Sequence, residues 1–241
     1  MKILVSSEGR FFYVRDLTKD FHCHYGIISK EDLSKNGAAI KTNTGKELHI
    51  FDSHFTDKFR KIKRGPQIIP IKDVSLIIAE TGIGKDSIVV DAGAGSGALA
   101  CMLGRVVKQV VSYEIRQDFL GIATNNITAL GLENISLKNK NVYDGIDERD
   151  VDLVVLDVPE PWKGVSAAAE ALKPGGFLVS YCPTTPQVSD FVKAIVESKR
   201  FAYVKTTEII EREWEINERK VRPKSQAIGH SGFLTFTRKI I

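Results

Sequence analysis

The residues with the most chemical content form a glycine-rich heptad, Asp91-Ala92-Gly93-Ala94-Gly95-Ser96-Gly97. Glycines at this spacing allow a tight turn and let a ligand approach the backbone closely. The pattern is G-x-G-x-G rather than the G-x-G-x-x-G of dinucleotide binders. An acid before its first glycine suits a ligand with a cationic amine better than one with a pyrophosphate. Taken alone, such a turn can also be a plain strand-to-helix connection. Glu114 follows about 20 residues later, where an acid can accept hydrogen bonds from ribose hydroxyls. A carboxylate there can equally do no more than favour the start of a helix. Asn141, next to Val142, offers a side-chain amide able to read an adenine edge, and Asp157 is a fourth polar group further on.

The elements around these residues alternate. Apolar runs predict strands at Ile88–Asp91, Gln109–Glu114, Ile135–Lys138, Val151–Asp157 and Phe177–Tyr181. Helical patterns fall at Val74–Glu80, Ala98–Gly104, through Asn125 and Asn126 to Leu130, at Ser166–Leu172 with a stop at Lys173-Pro174-Gly175-Gly176, and near Val188–Ser198. Two more strands, about Ala202–Ile210 and Phe233–Thr237, flank a basic loop and are expected to pair antiparallel. This βαβ repetition predicts an α/β fold with a doubly wound, mostly parallel sheet. The four polar groups then sit at the C-terminal ends of four successive strands, facing one crevice. Together they describe the S-adenosyl-L-methionine site of a Rossmann-like class I methyltransferase with a seven-stranded sheet. The first 65 residues differ: short apolar runs between turn signals such as Asn36-Gly37 and Asn43-Thr44-Gly45 predict a small β-rich N-terminal domain. Gly65-Pro66 marks the expected boundary, giving domains 1–65 and 66–241.

Composition sets the limits. Of 241 residues, 43% are hydrophobic and 27% charged, which is globular. No apolar run reaches the roughly 18 residues that spanning a bilayer requires, and the first residues lack a signal-peptide pattern, so a cytoplasmic location is expected. Cys23, Cys101 and Cys182 are far apart and fit neither a disulfide framework nor a zinc site, and His22 and His24 read as an exposed pair; no metal is expected. The net charge of +4 is unevenly spread. Residues 1–72 hold 14 Lys and Arg against 8 Asp and Glu, while the remaining 169 hold 20 against 22. The densest basic stretch contains Lys58, Arg60, Lys61, Lys63 and Arg64, and a second contains Arg219, Lys220, Arg222 and Lys224. Such patches suit a polyanion, or are solvated faces without a partner.

The set Gln67-Ile68-Ile69, Lys72-Asp73, the heptad, Glu114, Asp157-Val158-Pro159-Glu160-Pro161-Trp162, Arg222-Pro223 and Gly229-His230-Ser231-Gly232-Phe233-Leu234 resembles the tRNA (adenine-N1)-methyltransferase family. The glycine loop says only methyltransferase; the Pro-Glu-Pro-Trp and Gly-His-Ser-Gly-Phe-Leu runs are the discriminating parts. The resemblance implies methylation of N1 of adenosine in the T-loop of tRNA by a homotetramer. It places Gly93, Gly95, Ser96 and Gly97 around the methionine part of the cofactor, Glu114 at its ribose, and Asn141 and Val142 at its adenine, with Gln67, Asp91 and Asp157 also among the contacts. Asp157 would be catalytic, accepting a hydrogen bond and a proton from N6 of the target adenine, though a carboxylate here can also merely cap the loop. The N-terminal domain, residues 1–65, would contact tRNA, the two basic stretches would hold its phosphates, and Trp162 would line the base pocket or pack its loop. Two positions depart from the family: Asn141 replaces the more usual Asp, and Pro70-Ile71 stand where an aromatic or His precedes Pro. His230 is expected to make a structural hydrogen bond. The alternatives are a small-molecule or protein methyltransferase, of corrinoid-pathway or isoaspartyl type, and a non-catalytic tRNA-binding relative.

Overall fold

The structure is a computed structural model that describes residues 1–65, 67–217 and 219–241. Pro66, on one side of the expected domain boundary, lies outside the described residues. The chain divides into two compact units, Met1–Ile62 and Lys63–Ile241.

The first unit contains β1 (Lys2–Val5), β2 (Phe11–Val14), β3 (Phe21–Cys23), β4 (Gly26–Ile28), α1 (Lys30–Leu33), β5 (Ala38–Lys41), β6 (Glu47–Asp52) and α2 (Phe55–Phe59). Antiparallel pairing gives a sheet of order β2-β1-β6-β5, with β3 and β4 as a separate hairpin. Alternation decides its core: Leu48 and Ile50 of β6 are buried while Glu47, His49 and Phe51 between them are exposed. Leu4, Val14, Ile28, Leu33 and Ile40 complete that core.

The second unit runs α3 (Ile71–Thr81), β7 (Ile88–Ala92), α4 (Ala98–Leu103), β8 (Gln109–Tyr113), α5 (Gln117–Leu130), β9 (Ile135–Lys138), β10 (Val151–Leu156), α6 (Val165–Ala171), β11 (Leu172–Cys182), α7 (Thr185–Ser198), β12 (Phe201–Glu208), β13 (Trp214–Asn217), β14 (Lys220–Pro223) and β15 (Phe233–Lys239). Seven strands form one sheet, ordered β12-β15-β11-β10-β7-β8-β9. Only the two pairings of β15 are antiparallel; the other four are parallel. The class I methyltransferase fold expected from the repetition is therefore what the chain adopts. Strand β10 shows why its run is almost wholly apolar. Leu153 and Val155 join a core with Ile77 of α3 and Leu99 and Leu103 of α4, while Val154 and Leu156 join one with Ala168 of α6 and Phe191 and Ile195 of α7. A strand covered on both faces has no solvent side to make polar. Helix α5 stops where Gly131 takes φ 67° as its cap.

Two expectations need correction. The stop at Lys173–Gly176 ends α6 but does not delay the strand: Val151 pairs with Leu172 and Leu153 with Phe177, so the four residues bulge out within β11. Pro174 has no amide to give the ladder and Gly175 turns at φ 79°, which is how a bulge is made. The basic loop between the last two sheet strands also has structure of its own, because β13 and β14 pair as an antiparallel hairpin.

Candidate active site

The glycine-rich loop, the residues after β8, β9 and β10, and the segment before α3 enclose a cleft of about 470 Å³. Of the residues expected at a cofactor, Gln67, Gly93, Gly95, Ser96, Glu114, Asn141, Val142 and Asp157 all line it. Asp91 and Gly97 do not. Asp91 is fully buried, with Ser112 Oγ donating to its Oδ2 at 2.7 Å, and Gly97 caps the start of α4.

Gly93 shows why the loop needs glycine. Its φ is 101°, and a Cβ there would lie 2.1 Å from the carbonyl oxygen of Asp157. Backbone from two strand ends thus meets at the cleft floor with no space for a side chain. Glu114 braces the same loop: its Oε2 accepts from Gly95 N and its Oε1 from Arg116 N, both at 2.9 Å. A carboxylate has about four acceptor sites, so two remain for hydroxyls. Asn141 is similarly half-committed, because its Oδ1 accepts from Tyr143 N at 3.0 Å and so caps the short helical turn Val142–Asp144.

Charge in the cleft is unusual. Burial, then the neighbouring Asp91, pushes the Asp157 carboxyl up to about 7, although this side chain still reaches the cleft surface. Burial also pushes Asp91 up to about 6, against a downward pull from the Ser112 hydroxyl, with Glu114 adding to the rise. The two cationic side chains in the lining are engaged elsewhere: Arg116 pairs with Asp118 at 2.8 Å and Lys140 with Asp147 at 2.8 Å. Asp91 Oδ1 and Ser96 Oγ are buried with no hydrogen-bond partner among the described residues. A site with two raised carboxylates and an unsatisfied hydroxyl suits a cationic ligand bearing polar groups.

Several lining or supporting residues were not foreseen. Ile115 and Phe119 form an apolar wall, with the Arg116 guanidinium 3.8 Å from the Phe119 ring centroid. Asn126, buried in α5, donates to Ser96 O and Lys63 O at 2.8 Å and accepts from Lys63 N at 2.9 Å, tying the entering segment to the glycine loop. The signal available for Ile115 was its place directly after the acid that follows β8; for Asn126 there was none. Trp162 is half-buried in the turn Pro161–Gly164 and is not part of the lining, whereas Pro159 and Glu160 are. Tyr143 fixes this loop by accepting from Glu160 N at 3.1 Å.

The remaining expected residues lie apart from the cleft. Lys58 is on α2, Arg60 and Lys61 follow it, and Lys63 and Arg64 open the second unit. In the hairpin, Lys220 and Arg222 pair with Glu215 at 2.8 and 3.2 Å and Lys224 pairs with Glu213; Arg219 is exposed. His230 sits between Glu208 Oε1 and the Pro183 carbonyl, at 2.6 and 2.8 Å. Beside it, Ser231 donates to Asp73 at 2.9 Å and Lys72 bridges Asp73, Ser231 and the Ile209 carbonyl. No group of residues able to hold a metal ion is found among the described residues.

A doubly wound sheet with a glycine loop after its first parallel strand and acids after the second and fourth defines a class I methyltransferase. The comparisons with known proteins agree. The profile of the tRNA methyltransferase complex GCD14 subunit family matches residues 60–222. The tRNA (adenine(57)-N(1)/adenine(58)-N(1))-methyltransferase TrmI of Methanocaldococcus jannaschii is 33% identical over 98% of this chain and 94% of its own. The tRNA (adenine(58)-N(1))-methyltransferase TrmI of Thermus thermophilus is 33% identical over 91% of this chain and 88% of its own. Among solved structures, a SAM-dependent O-methyltransferase from Thermotoga maritima superposes with a TM-score of 0.89 at 32% identity, covering 100% of this chain and 92% of that one. The chain belongs to the GCD14/TrmI family of tRNA methyltransferases.

Proposed function

We propose that this protein methylates N1 of adenosine in the T-loop of tRNA, at position 57 or 58, with S-adenosylmethionine bound in the cleft. The observation that carries the reading is the buried Asp91 beside the half-buried, cleft-lining Asp157, both raised, under a glycine loop, in a chain that matches adenine-N1 enzymes over nearly its whole length. When bound, the cofactor supplies an electrophilic methyl group on positively charged sulfur. Gly93, Gly95 and the free Ser96 hydroxyl hold its amino-acid part, with Gln67 closing the rim. Asp91 and Gly97 support that contact from beneath. The spare acceptors of Glu114 meet the ribose, and Asn141, Val142, Ile115 and Phe119 enclose the adenine.

Asp157 acts on the acceptor. N1 lies on the Watson–Crick edge, so the target adenosine must leave its stack. Methylation leaves a positive charge on the adenine ring, and the Asp157 carboxylate accepts a hydrogen bond from N6 and then its proton. Positioning of N1 supplies most of the acceleration. Lys58, Arg60, Lys61, Lys63, Arg64, Arg219, Lys220, Arg222 and Lys224 hold phosphates, and Trp162 packs the loop that carries Asp157. A cytoplasmic homotetramer completes the reading, and no described helix is long and apolar enough to cross a membrane.

The test is transfer of labelled methyl from S-adenosylmethionine to unmodified tRNA, followed by nucleoside analysis. 1-Methyladenosine is the expected product; cofactor bound without that product contradicts the reading. The Thermotoga structure is described as an O-methyltransferase, so products methylated on oxygen belong in the same assay.

A further inference from the structure

The sheet of the N-terminal unit has two faces, and its main apolar cluster lies on one of them. Leu4, Val14, Ile40, Leu48 and Ile50 point to that side. The register fixes what stands on the other. Ile3 lies between Tyr13 on β2 and Phe51 on β6, and Val5 between Phe11 and His49. Directly opposite residues in antiparallel strands share a face, so the outer face carries two rows, each with an aliphatic residue flanked by rings. Ile3 is buried, whereas Phe11 is 54% and Phe51 42% exposed. Cationic groups stand at the same face: Lys61 Nζ is 4.1 Å from the Tyr13 ring centroid, and Arg15 donates to the Lys61 carbonyl at 3.2 Å.

We propose that this face stacks unpaired nucleobases of a single-stranded RNA segment, with Phe11 and Phe51 each taking one base and Lys61 an adjoining phosphate. Aromatic side chains on a four-stranded antiparallel sheet are a common way to hold splayed bases, because every base has a π face. Phe11 and Phe51 are two strand spacings apart across the sheet and two residues apart along it, about 12 Å in all, so they meet different bases. Charge argues for RNA over a second copy of this sheet: the first unit, residues 1–62, carries 11 basic against 8 acidic residues, and a second copy would bring the same excess against itself. The proposal rests on the reading that the protein acts on RNA, and adds to it a contact made by rings rather than by charge.

Its test compares the full-length double variants Phe11→Ala/Phe51→Ala and Phe11→Leu/Phe51→Leu with wild type. Binding to a fluorescein-labelled oligoadenylate of about 12 nucleotides, a length that spans more than one stacking site, and to unmodified tRNA is measured across a salt series. Alanine at both positions should weaken both ligands by about ten-fold per ring, and leucine, which restores apolar bulk without a ring, should not rescue. The slope of log affinity against log salt should stay as in wild type, since no cation is removed, while Lys61→Ala should flatten it. Unchanged affinity in the alanine variant overturns the proposal, as does wild-type affinity in the leucine variant. So does a loss of affinity that sedimentation shows to coincide with an assembly falling apart, because the face would then join copies of the chain. Wild-type methyl transfer tests the parent reading separately. A wild type that makes 1-methyladenosine beside ring variants that bind normally removes only the platform.

Discussion

The cleft and the β13/β14 hairpin are both rich in charge and use it in opposite ways. At the cleft and just beneath it, Asp157 and Asp91 are acids with no cationic partner among the described residues, and burial drives both carboxyls up. In the hairpin, Lys220, Arg222 and Lys224 are exposed and answered by Glu215 and Glu213. Exposed pairs of this kind gain little from each other in water, and they cancel the field a polyanion would feel. Unsatisfied buried charge creates a demand for a ligand, whereas satisfied surface charge does not. The cationic stretch around Lys61 to Arg64, also the denser of the two in sequence, is therefore the stronger candidate for phosphate contact.

The largest effect that can break this contrast is loss of the cleft acid. Asp157→Ala should lower methyl transfer by roughly 10²- to 10⁴-fold at saturating substrates, with the circular dichroism spectrum unchanged. A wild-type rate would reduce Asp157 to a loop cap. Gly93→Ala comes next. The new methyl group would collide with the Asp157 carbonyl at a positive φ, so stability should fall by about 1–3 kcal/mol in chemical denaturation and cofactor binding by calorimetry should drop more than ten-fold.

A third test follows from the direction of the two pKa shifts. Asp91 and Asp157 hold their protons more tightly folded than unfolded, so the folded state binds more protons between pH about 4 and about 7. The stability they contribute is complete below pH about 4 and is lost as pH rises through their folded values. The melting temperature of the ligand-free protein should carry this decline, and its gain on adding S-adenosylmethionine should be larger at pH 8 than at pH 5. Equal gains would show that the bound cation does not feel the carboxylates. The smallest effect sharpens the surface half of the comparison. Lys63→Ala/Arg64→Ala should flatten the salt dependence of tRNA affinity more than Lys220→Ala/Arg222→Ala does, and equal slopes would make the hairpin an equal contributor to phosphate binding.

Much of this was legible in the sequence because it depends on local pattern. Period-two alternation and uninterrupted apolar runs located the strands of the large sheet, and the heptad with Glu114 and Asp157 located the cleft, since strand ends in such a fold lie along one edge. The missing parts depend on long-range partners. Asn126 looks like any polar residue in an amphipathic helix until Lys63 and Ser96, 63 and 30 residues away, prove to be its partners. Trp162 suggested a base pocket by type, but the turn that carries it leaves the lining to Pro159 and Glu160. The hairpin was visible in principle, because Trp214, Ile216 and Val221 alternate with charged residues, but the basic run drew the reading toward a loop.

The central claim is that the Asp157 carboxylate, raised by its burial, takes the proton load of the acceptor adenine. The most direct measurement is the pH profile of single-turnover methyl transfer to tRNA for wild type and Asp157→Asn. Wild type should gain rate as the carboxyl ionises on the way to neutral pH, and the asparagine variant should be slow and flat across the same range. An asparagine variant that matches wild type in both rate and profile would contradict the account.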